Sequence, residues 1–274
     1  MTQPKILDNN ELQLSIIMVT YNAEEVVDKT LLSIFGQTFN NYELIVIDGS
    51  SIDKTVQYLE KYLERFAYFI SEPDSGIYDA MNKGLRVAKG DYVQFLNAGD
   101  YFVNDSVLDV CFGEDYGNPH VIYGDIIVLH EDGKTHYQKA KPFTYEQLIK
   151  VGSSVLCHQA MFVRRNIVPL YSTEYKFKGE LNWYFDICDH LGDKLIFKYI
   201  NIAIAYYALG GFGHQHFLKN RIEWLKVVKN RYGVGTIIEN NLFVYIYKNS
   251  FYRYPKLEKY HNAFVKIFNC FKGR

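Results

Sequence analysis

"LSIIMVTYNAEEVVDKTLLSIF" (residues 14–35) joins a short, mostly apolar run to a segment in which Val27, Leu31, Ile34 and Phe35 recur at helical spacing. The run reads as a strand buried on both faces, and the recurrence after it as an amphipathic helix. Thr20, Tyr21 and Asn22 form a polar junction between them, with Asn22 placed as N-cap. Glu24 and Glu25 follow in the first turn, where the helix dipole favours negative charge.

The same alternation repeats along the chain. Strand "YELIVID" (42–48) precedes helix "DKTVQYLEKYLERF" (53–66), whose Val56, Leu59, Leu63 and Phe66 share one face. Strand "AYFISE" (67–72) precedes helix "YDAMNKGLRVA" (78–88), and strand "YVQFL" (92–96) comes next. Alternating helices and wholly apolar strands predict an α/β fold with a mainly parallel sheet covered on both faces. Ligands bind such sheets beyond the carboxyl ends of the strands. Here those ends read TYN, IDGSS, SEPDSG and LNAGD. Any one of them is an ordinary polar loop; the four together predict the walls of a shared cleft.

After Asp100 the pattern loosens. "HVIYGDIIVLHEDGKTHYQKA" reads as a hairpin turning at Asp132-Gly133, "TYEQLIKVG" as a short helix, and "CHQAMFVRR" and "KLIFKYINIAIAYYA" as further strands. A helix is expected from about Phe217 to Tyr232, burying Leu218, Ile222, Leu225 and Tyr232.

Lys plus Arg number 30 against 31 Asp plus Glu, a net charge of -1, so no whole-molecule field favours nucleic acid. Cys111, Cys157, Cys188 and Cys270 are scattered without a C-x-x-C pair, which argues against a zinc site or disulfide framework and for a reduced, cytoplasmic protein. "MTQPKILDNNELQ" has no basic-then-apolar signal pattern, and the greasiest run, "LIFKYINIAIAYYAL", is interrupted by Lys198 and Asn201. Neither secretion nor a membrane span is expected. From Asn241 onward Lys248, Arg253, Lys256, Lys259, Lys266, Lys272 and Arg274 mix with aromatics against the single acid Glu258. Such a tail suits either an anionic membrane surface or docking on its own domain or a second subunit, as in a homodimer.

Two carboxylates stand at strand ends. Asp48 opens "DGSSIDKT", where it can accept hydrogen bonds from a base or ribose, or simply form a strand-to-helix turn. Asp100 closes "FLNAGD" with Asn97 nearby. That is a hard oxygen site of the kind Mg2+ or Mn2+ uses when phosphates complete the shell, or else a turn that caps the next segment.

Taken in order, "SIIMVTYNAEEVVDKTLLSIFGQTFNNYELIVIDGSSIDKT", "EPDSGIYDAMNKG" and "AKGDYVQFLNAGD" resemble the nucleotide-binding half of the inverting, metal-dependent family two glycosyltransferases. "GIYDAMNKG…FLNAGD" is similar in particular to bacterial members that build surface polysaccharides. The resemblance implies a GT-A-like Rossmann-type sandwich: a nucleotide-sugar half (1–105), an acceptor-side half (106–215) and a helical C-terminal extension (216–274). It implies that Thr20 and Asp48, with Tyr21 and Asn22 beside them, meet the nucleoside, and that Asp100 holds Mg2+ or Mn2+ on the diphosphate. The chain departs from the family pattern twice: Asp-Asp becomes Asp48-Gly49, and the D-x-D metal motif is reduced to Asn97 through Asp100, one carboxylate instead of two.

Asp74 and Asp79 are then donor-side candidates, Asn82 and Lys83 can reach sugar or phosphate, and Tyr78 packs; Lys83 is equally a solvated helix position. Inverting transfer needs a base facing the donor. In "YKFKGELNWYFDI" Glu180 matches it, with Asp186 second, the alternative being an exposed glutamate at a helix start. His158 and Gln159 in "CHQAMFVRR" line a sugar pocket. In "GGFGHQH" (210–216) His214 and His216 belong to a loop over the donor or to an uninvolved surface pair. The implied activity is inverting sugar transfer from a nucleotide diphosphate to a saccharide or lipid-linked acceptor in bacterial envelope-glycan synthesis, at or near the inner membrane face. Two rivals stand beside it: a sugar nucleotidyltransferase, whose glycine-rich basic loop "VTYNAEEVV" lacks, and a non-catalytic sugar-nucleotide or glycan-binding protein.

Overall fold

The computed structural model describes residues 12–155, 157–209, 216–240 and 242. β1 (Leu14–Thr20) is buried throughout and pairs in parallel with β2 (Tyr42–Asp48) on one side and β4 (Tyr92–Phe95) on the other. β3 (Tyr68–Ser71) extends the parallel set beyond β2. Alternate side chains serve opposite faces, as the two-residue period of a strand requires. Leu14, Ile16, Met18, Leu44 and Val46 meet α1 (Val27–Phe35) in one core. Ile17, Val19, Ile45 and Ile47 meet α3 (Ile77–Val87) in the other. α2 (Thr55–Leu59) packs its Leu59 into the α1 side.

Five strands complete the sheet. β4 pairs antiparallel with β8 (Met161–Arg164), β8 antiparallel with β6 (Val121–Leu129), and β6 parallel with β9 (Phe197–Ala208). β5 (Tyr101–Phe102) pairs with β9, and β7 (Thr135–Gln138) returns along β6 through the expected hairpin. The order is β3-β2-β1-β4-β8-β6-β9-β5, with β7 beside β6. β5 follows β4 almost at once in the chain yet lies at the far end of that order. The sheet therefore curls, bringing the end of β9 back to the end of β4. Register shifts around Asp125 supply part of this bend. α4 (Val107–Phe112) covers the α1 side; α5 (Tyr145–Val151), α6 (Gly179–Leu191) and α7 (Phe217–Glu239) cover the α3 side.

Three local expectations are corrected. Asn22 is not an N-cap: α1 starts at Val27, and Asn22 sits at φ 48 with its Oδ1 accepting from the Ile52 N–H at 3.0 Å. A neighbouring loop has taken its capping oxygen. The helix expected over 53–66 is α-helical only to Leu59, then tightens into a 3-10 turn broken at Tyr62, which turns Leu63 outward. α7 extends to Glu239 with a break at Gly233 and is rotated from the expected phase: Trp224, Val227 and Val228 are buried, Ile222 is 67% exposed, and Leu225 and Tyr232 pack at the margin. Among the described residues no helix is long and apolar enough to cross a membrane. Cys111, Cys157 and Cys188 are free thiols; Cys270 lies outside the described residues.

One buried clamp joins the first half of the chain to the second. The Asn82 amide donates to the Tyr171 carbonyl at 2.9 Å and accepts from the Tyr171 N–H at 2.7 Å. The Tyr171 ring stacks on Tyr78 of α3 at 5.1 Å and on Trp183 of α6 at 4.8 Å. Asn82→Leu keeps the volume but orphans both backbone groups, so chemical denaturation should show a loss of about 3 kcal/mol. A loss under about 1 kcal/mol would show that the clamp is dispensable.

Candidate active site

At the carboxyl ends of β1, β2 and β3 the chain ties itself together through Asp48, which is wholly buried. Its Oδ1 accepts from Thr20 Oγ1 at 2.8 Å and from the Ser51 hydroxyl; its Oδ2 accepts from the Ser51 N–H at 2.9 Å and Ser71 Oγ at 2.7 Å. A carboxylate has about four acceptor positions, and the chain fills all of them. Thr20 is buried with it, whereas Tyr21 and Asn22 are exposed, as is Ile52 of the next loop. The 72–76 loop leans on this knot: a Cβ on Gly49 would lie 2.5 Å from Asp74 Oδ2. Asp74 Oδ1 accepts from the Gly76 N–H at 2.8 Å, and Asp79 accepts from the Ser75 N–H at 3.1 Å. Lys83 reaches back to the Pro73 carbonyl at 2.9 Å and to Glu72 at 2.8 Å, fastening the loop to α3. Asn82 is turned away from these groups, into the clamp on Tyr171.

At the end of β4, Thr30 of α1 holds the 97–100 turn, accepting from the Gly99 N–H at 2.9 Å and donating to the Asp100 carbonyl at 2.8 Å. The Asp100 carboxylate is buried, accepting from Gln159 Nε2 at 2.7 Å and from the Ala208 N–H at 3.0 Å. Burial pushes its pKa up to about 7, with those two donors opposing. Asn97 Nδ2 lies 3.4 Å from His158 Nε2, and Asn97 Oδ1 is buried without a partner among the described residues. His158 is buried edge-on to Phe95; burial lowers its pKa against the pull of Glu180, leaving a neutral imidazole at pH 7.

Glu180 begins α6 beside this group, its carboxylate 3.9 Å from His158 Nδ1 and 3.7 Å from Lys178 Nζ. About a quarter of its side chain is exposed (26%), so it is open to a substrate, unlike its neighbours. The Tyr78 ring packs on the start of α6 at Gly179. Gly179 is required there, because a Cβ would lie 2.6 Å from the Tyr78 ring. Lys178 is buried, bonded to Ser153 Oγ at 2.7 Å, and burial lowers its pKa while Glu180 opposes. Asp186 does not join them. It accepts from Arg231 at 2.7 Å and from Asn182 at 2.8 Å, against α7. His216 stacks on Phe177 at 5.5 Å, while His214 and the tail from 243 lie outside the described residues. Lys178 and Thr30 carried no signal in the sequence beyond helical spacing.

A family model described as Glycosyl transferase family 2 matches residues 15–175. The chain belongs to that family. It is 28% identical over 233 residues to a PGL/p-HBAD biosynthesis glycosyltransferase of Mycobacterium bovis, covering 82% of this chain and 88% of the relative. An uncharacterized glycosyltransferase of Haemophilus influenzae is 37% identical over 97 residues, 34% of this chain and 39% of the relative. Among solved structures, S. aureus TarS 1-349 in complex with UDP-GlcNAc has a TM-score of 0.63 at 18% identity, covering 90% of this chain and 77% of that one. The mannosyltransferase PcManGT from Pyrobaculum calidifontis, in complex with GDP-Man and Mn2+, has a TM-score of 0.55 at 15% identity, covering 87% and 72%. The fold is GT-A, and this family 2 glycosyltransferase is a transferase enzyme.

Among the described residues of this glycosyltransferase no three His, Cys, Asp or Glu side chains gather as a metal cage. The turn offers the Asp100 carboxylate and the unpartnered Asn97 amide oxygen. That donor set fits a divalent ion held mainly by phosphates, which needs only one or two protein carboxylates. In metal-free solution Asp100 itself controls a pH dependence. Its folded pKa lies above its unfolded value, so its contribution to stability is full below about pH 4 and is lost as pH rises through about 7. Asp100→Asn cannot ionise. In EDTA its unfolding free energy should gain on that of wild type between pH 4 and pH 8, by an amount bounded at about 4 kcal/mol; a constant difference would contradict the buried-carboxylate assignment.

Proposed function

We propose that the protein is an inverting glycosyltransferase, moving a sugar from a nucleotide diphosphate to a hydroxyl of a saccharide or lipid-linked acceptor, with Glu180 as general base. The supporting observation is the placement of Glu180: a part-exposed carboxylate beside Nδ1 of His158, whose Nε2 faces Asn97 of the turn that ends in Asp100. Residues 1–105 form the donor half of this reading, 106–215 the acceptor side and 216–274 an extension. The Asp48 knot, with Thr20 inside it, shapes the nucleoside wall, and Tyr21, Asn22 and Ile52 supply its outward surface. Asp74, Asp79 and Lys83 shape the loop over the diphosphate and sugar, with Asn82 anchoring its helix.

Glu180 takes the proton of the acceptor hydroxyl as that oxygen attacks the anomeric carbon, and the bond from that carbon to the diphosphate oxygen breaks on the opposite side. Lys178 Nζ, 3.7 Å from the Glu180 carboxylate, stands on the side of the base. Asp100, with Asn97, would hold Mg2+ or Mn2+, which supplies Lewis-acid stabilisation of the leaving diphosphate. The relatives' names support this direction: a PGL/p-HBAD biosynthesis enzyme, and complexes of TarS with UDP-GlcNAc and of PcManGT with GDP-Man and Mn2+. The same reading puts the protein in the cytoplasm, with the basic tail from 241 meeting the inner membrane face or a second copy. Residues 243–274 of that tail lie outside the described residues.

A thermal-shift screen of UDP, GDP, CDP and dTDP sugars with and without Mn2+ identifies the donor, since a ligand at 100 times its Kd adds about 2.7 kcal/mol. Asp100→Ala should erase the Mn2+-dependent part of that shift. With donor and acceptor in hand, Glu180→Gln should lower kcat by about a thousandfold, within the range general-base catalysis supplies, and leave donor Kd within a few-fold. Nuclear magnetic resonance of the wild-type product should show the anomeric configuration inverted. Retention of configuration, or a fully active Glu180→Gln, refutes the mechanism; donor binding without turnover on an acceptor panel would favour a binding protein.

A further inference from the structure

A carboxylate outside the cleft gathers the backbone on which the proposed base stands. Glu223, on α7, accepts from three consecutive N–H groups: Lys176 at 2.9 Å on Oε1, and Phe177 and Lys178, the latter at 2.6 Å, on Oε2. These residues lead directly into α6, whose second residue is Glu180. A negative side chain at this end also complements the helix dipole, and it favours the charged form of Lys178. Eight residues further along α7, about 12 Å of helix, Arg231 bonds Asn182 at 2.9 Å and Asp186 at 2.7 Å. α7 therefore grips α6 itself through Arg231 and the segment before it through Glu223, with Lys226 on Glu174 at 2.7 Å and Asn230 on the Tyr175 hydroxyl at 3.3 Å further back; of these, Glu223 holds the residues that adjoin the helix. The Tyr78 ring packs on Gly179, the first residue of α6.

We infer that Glu223 is a positioning residue for catalysis: it sets the angle at which α6 starts and so aims the Glu180 carboxylate and the Lys178 ammonium. The inference rests on Glu180 being the general base. The bonds of Glu223 go to backbone N–H groups before α6, so its loss should leave donor binding intact and lower the chemical step, since a shift of about 1 Å in a reacting group costs about a hundredfold. The amide of Glu223→Gln can keep the two bonds at the Oε2 position and loses the one to Lys176, so it should rescue most of the rate.

The test is a double-mutant cycle on purified full-length protein, with kcat and donor Kd measured for each variant. Glu180→Gln is read first; if it is fully active the assignment of the base has failed, independently of Glu223. Given an inactive Glu180→Gln, Glu223→Ala should lower kcat about 30-fold with donor Kd within about twofold, and Glu223→Gln should lower it only about threefold to fivefold. In the Glu180→Gln background, Glu223→Ala should change the residual rate by less than about twofold, because residues acting as one unit are not additive. Wild-type turnover in Glu223→Ala, an equal loss in both backgrounds, or a parallel loss of donor binding each overturns the inference. If the alanine variant does not fold, Glu223→Gln decides it: a kcat about threefold to fivefold below wild type supports the role, and an unchanged kcat ends it.

Discussion

The reciprocal hydrogen bonds between the Asn82 amide and the Tyr171 backbone carry the relation between the two halves of this enzyme. An amide is the right group because it both donates and accepts; a carboxylate lacks the donor and an aliphatic side chain lacks both. Four residues earlier on the same face of α3, Tyr78 stacks on Tyr171 and packs its ring on Gly179 at the start of α6. α3 thus works as a spacer. One side packs on β1 and β2, whose ends hold the Asp48 knot, and the other fixes where Glu180 stands.

The electrostatics around the cleft share one tendency. Asp100 is pushed up, while His158 and Lys178 are pushed down, and in each case burial is the largest cause. All three shifts favour the neutral form, as expected where several polar groups are drawn out of water before their partner arrives. A diphosphate with a divalent ion would change that balance at every one of them. The cation favours ionised Asp100, and the phosphate charge favours protonated Lys178.

What was legible in the chain follows from the range of the interactions concerned. The strands of the first half could be read because both their faces are buried, so every residue from Leu14 to Val19 except Ser15 is apolar. The hairpin at Asp132-Gly133 could be read because a turn is local. Asn22, the break at Tyr62 and the phase of α7 could not, since each is decided by a distant partner: the Ile52 N–H, the packing of the 60–66 turn, and the site that receives Trp224. Motif matching picked out Asp48 and Asn82 as polar residues of the cleft region. It could not show that the chain itself saturates Asp48 and that Asn82 serves as a clamp, because those bonds join residues 28 and 89 positions apart. Glu223 lies 43 residues beyond Glu180, in a helix with no pattern pointing back to it.

Two of the three carboxylates of α6 show how such partners assign roles. Glu180 and Asp186 are six residues apart, which at 100° per residue places them about 120° apart around the helix and about 9 Å along it. Glu180 faces a neutral imidazole that makes no hydrogen bond to it, and Lys178, which lies just beyond hydrogen-bond range at 3.7 Å. Its oxygens are therefore available to a substrate hydroxyl. Asp186 is held by a guanidinium and an amide, and binding a proton there would mean surrendering a charge-assisted bond to Arg231. A base must be fixed without being satisfied. In α6 only the first carboxylate meets that condition, since Tyr78 packs on Gly179 just before it and Glu223 ties its approach, while its side chain is left open.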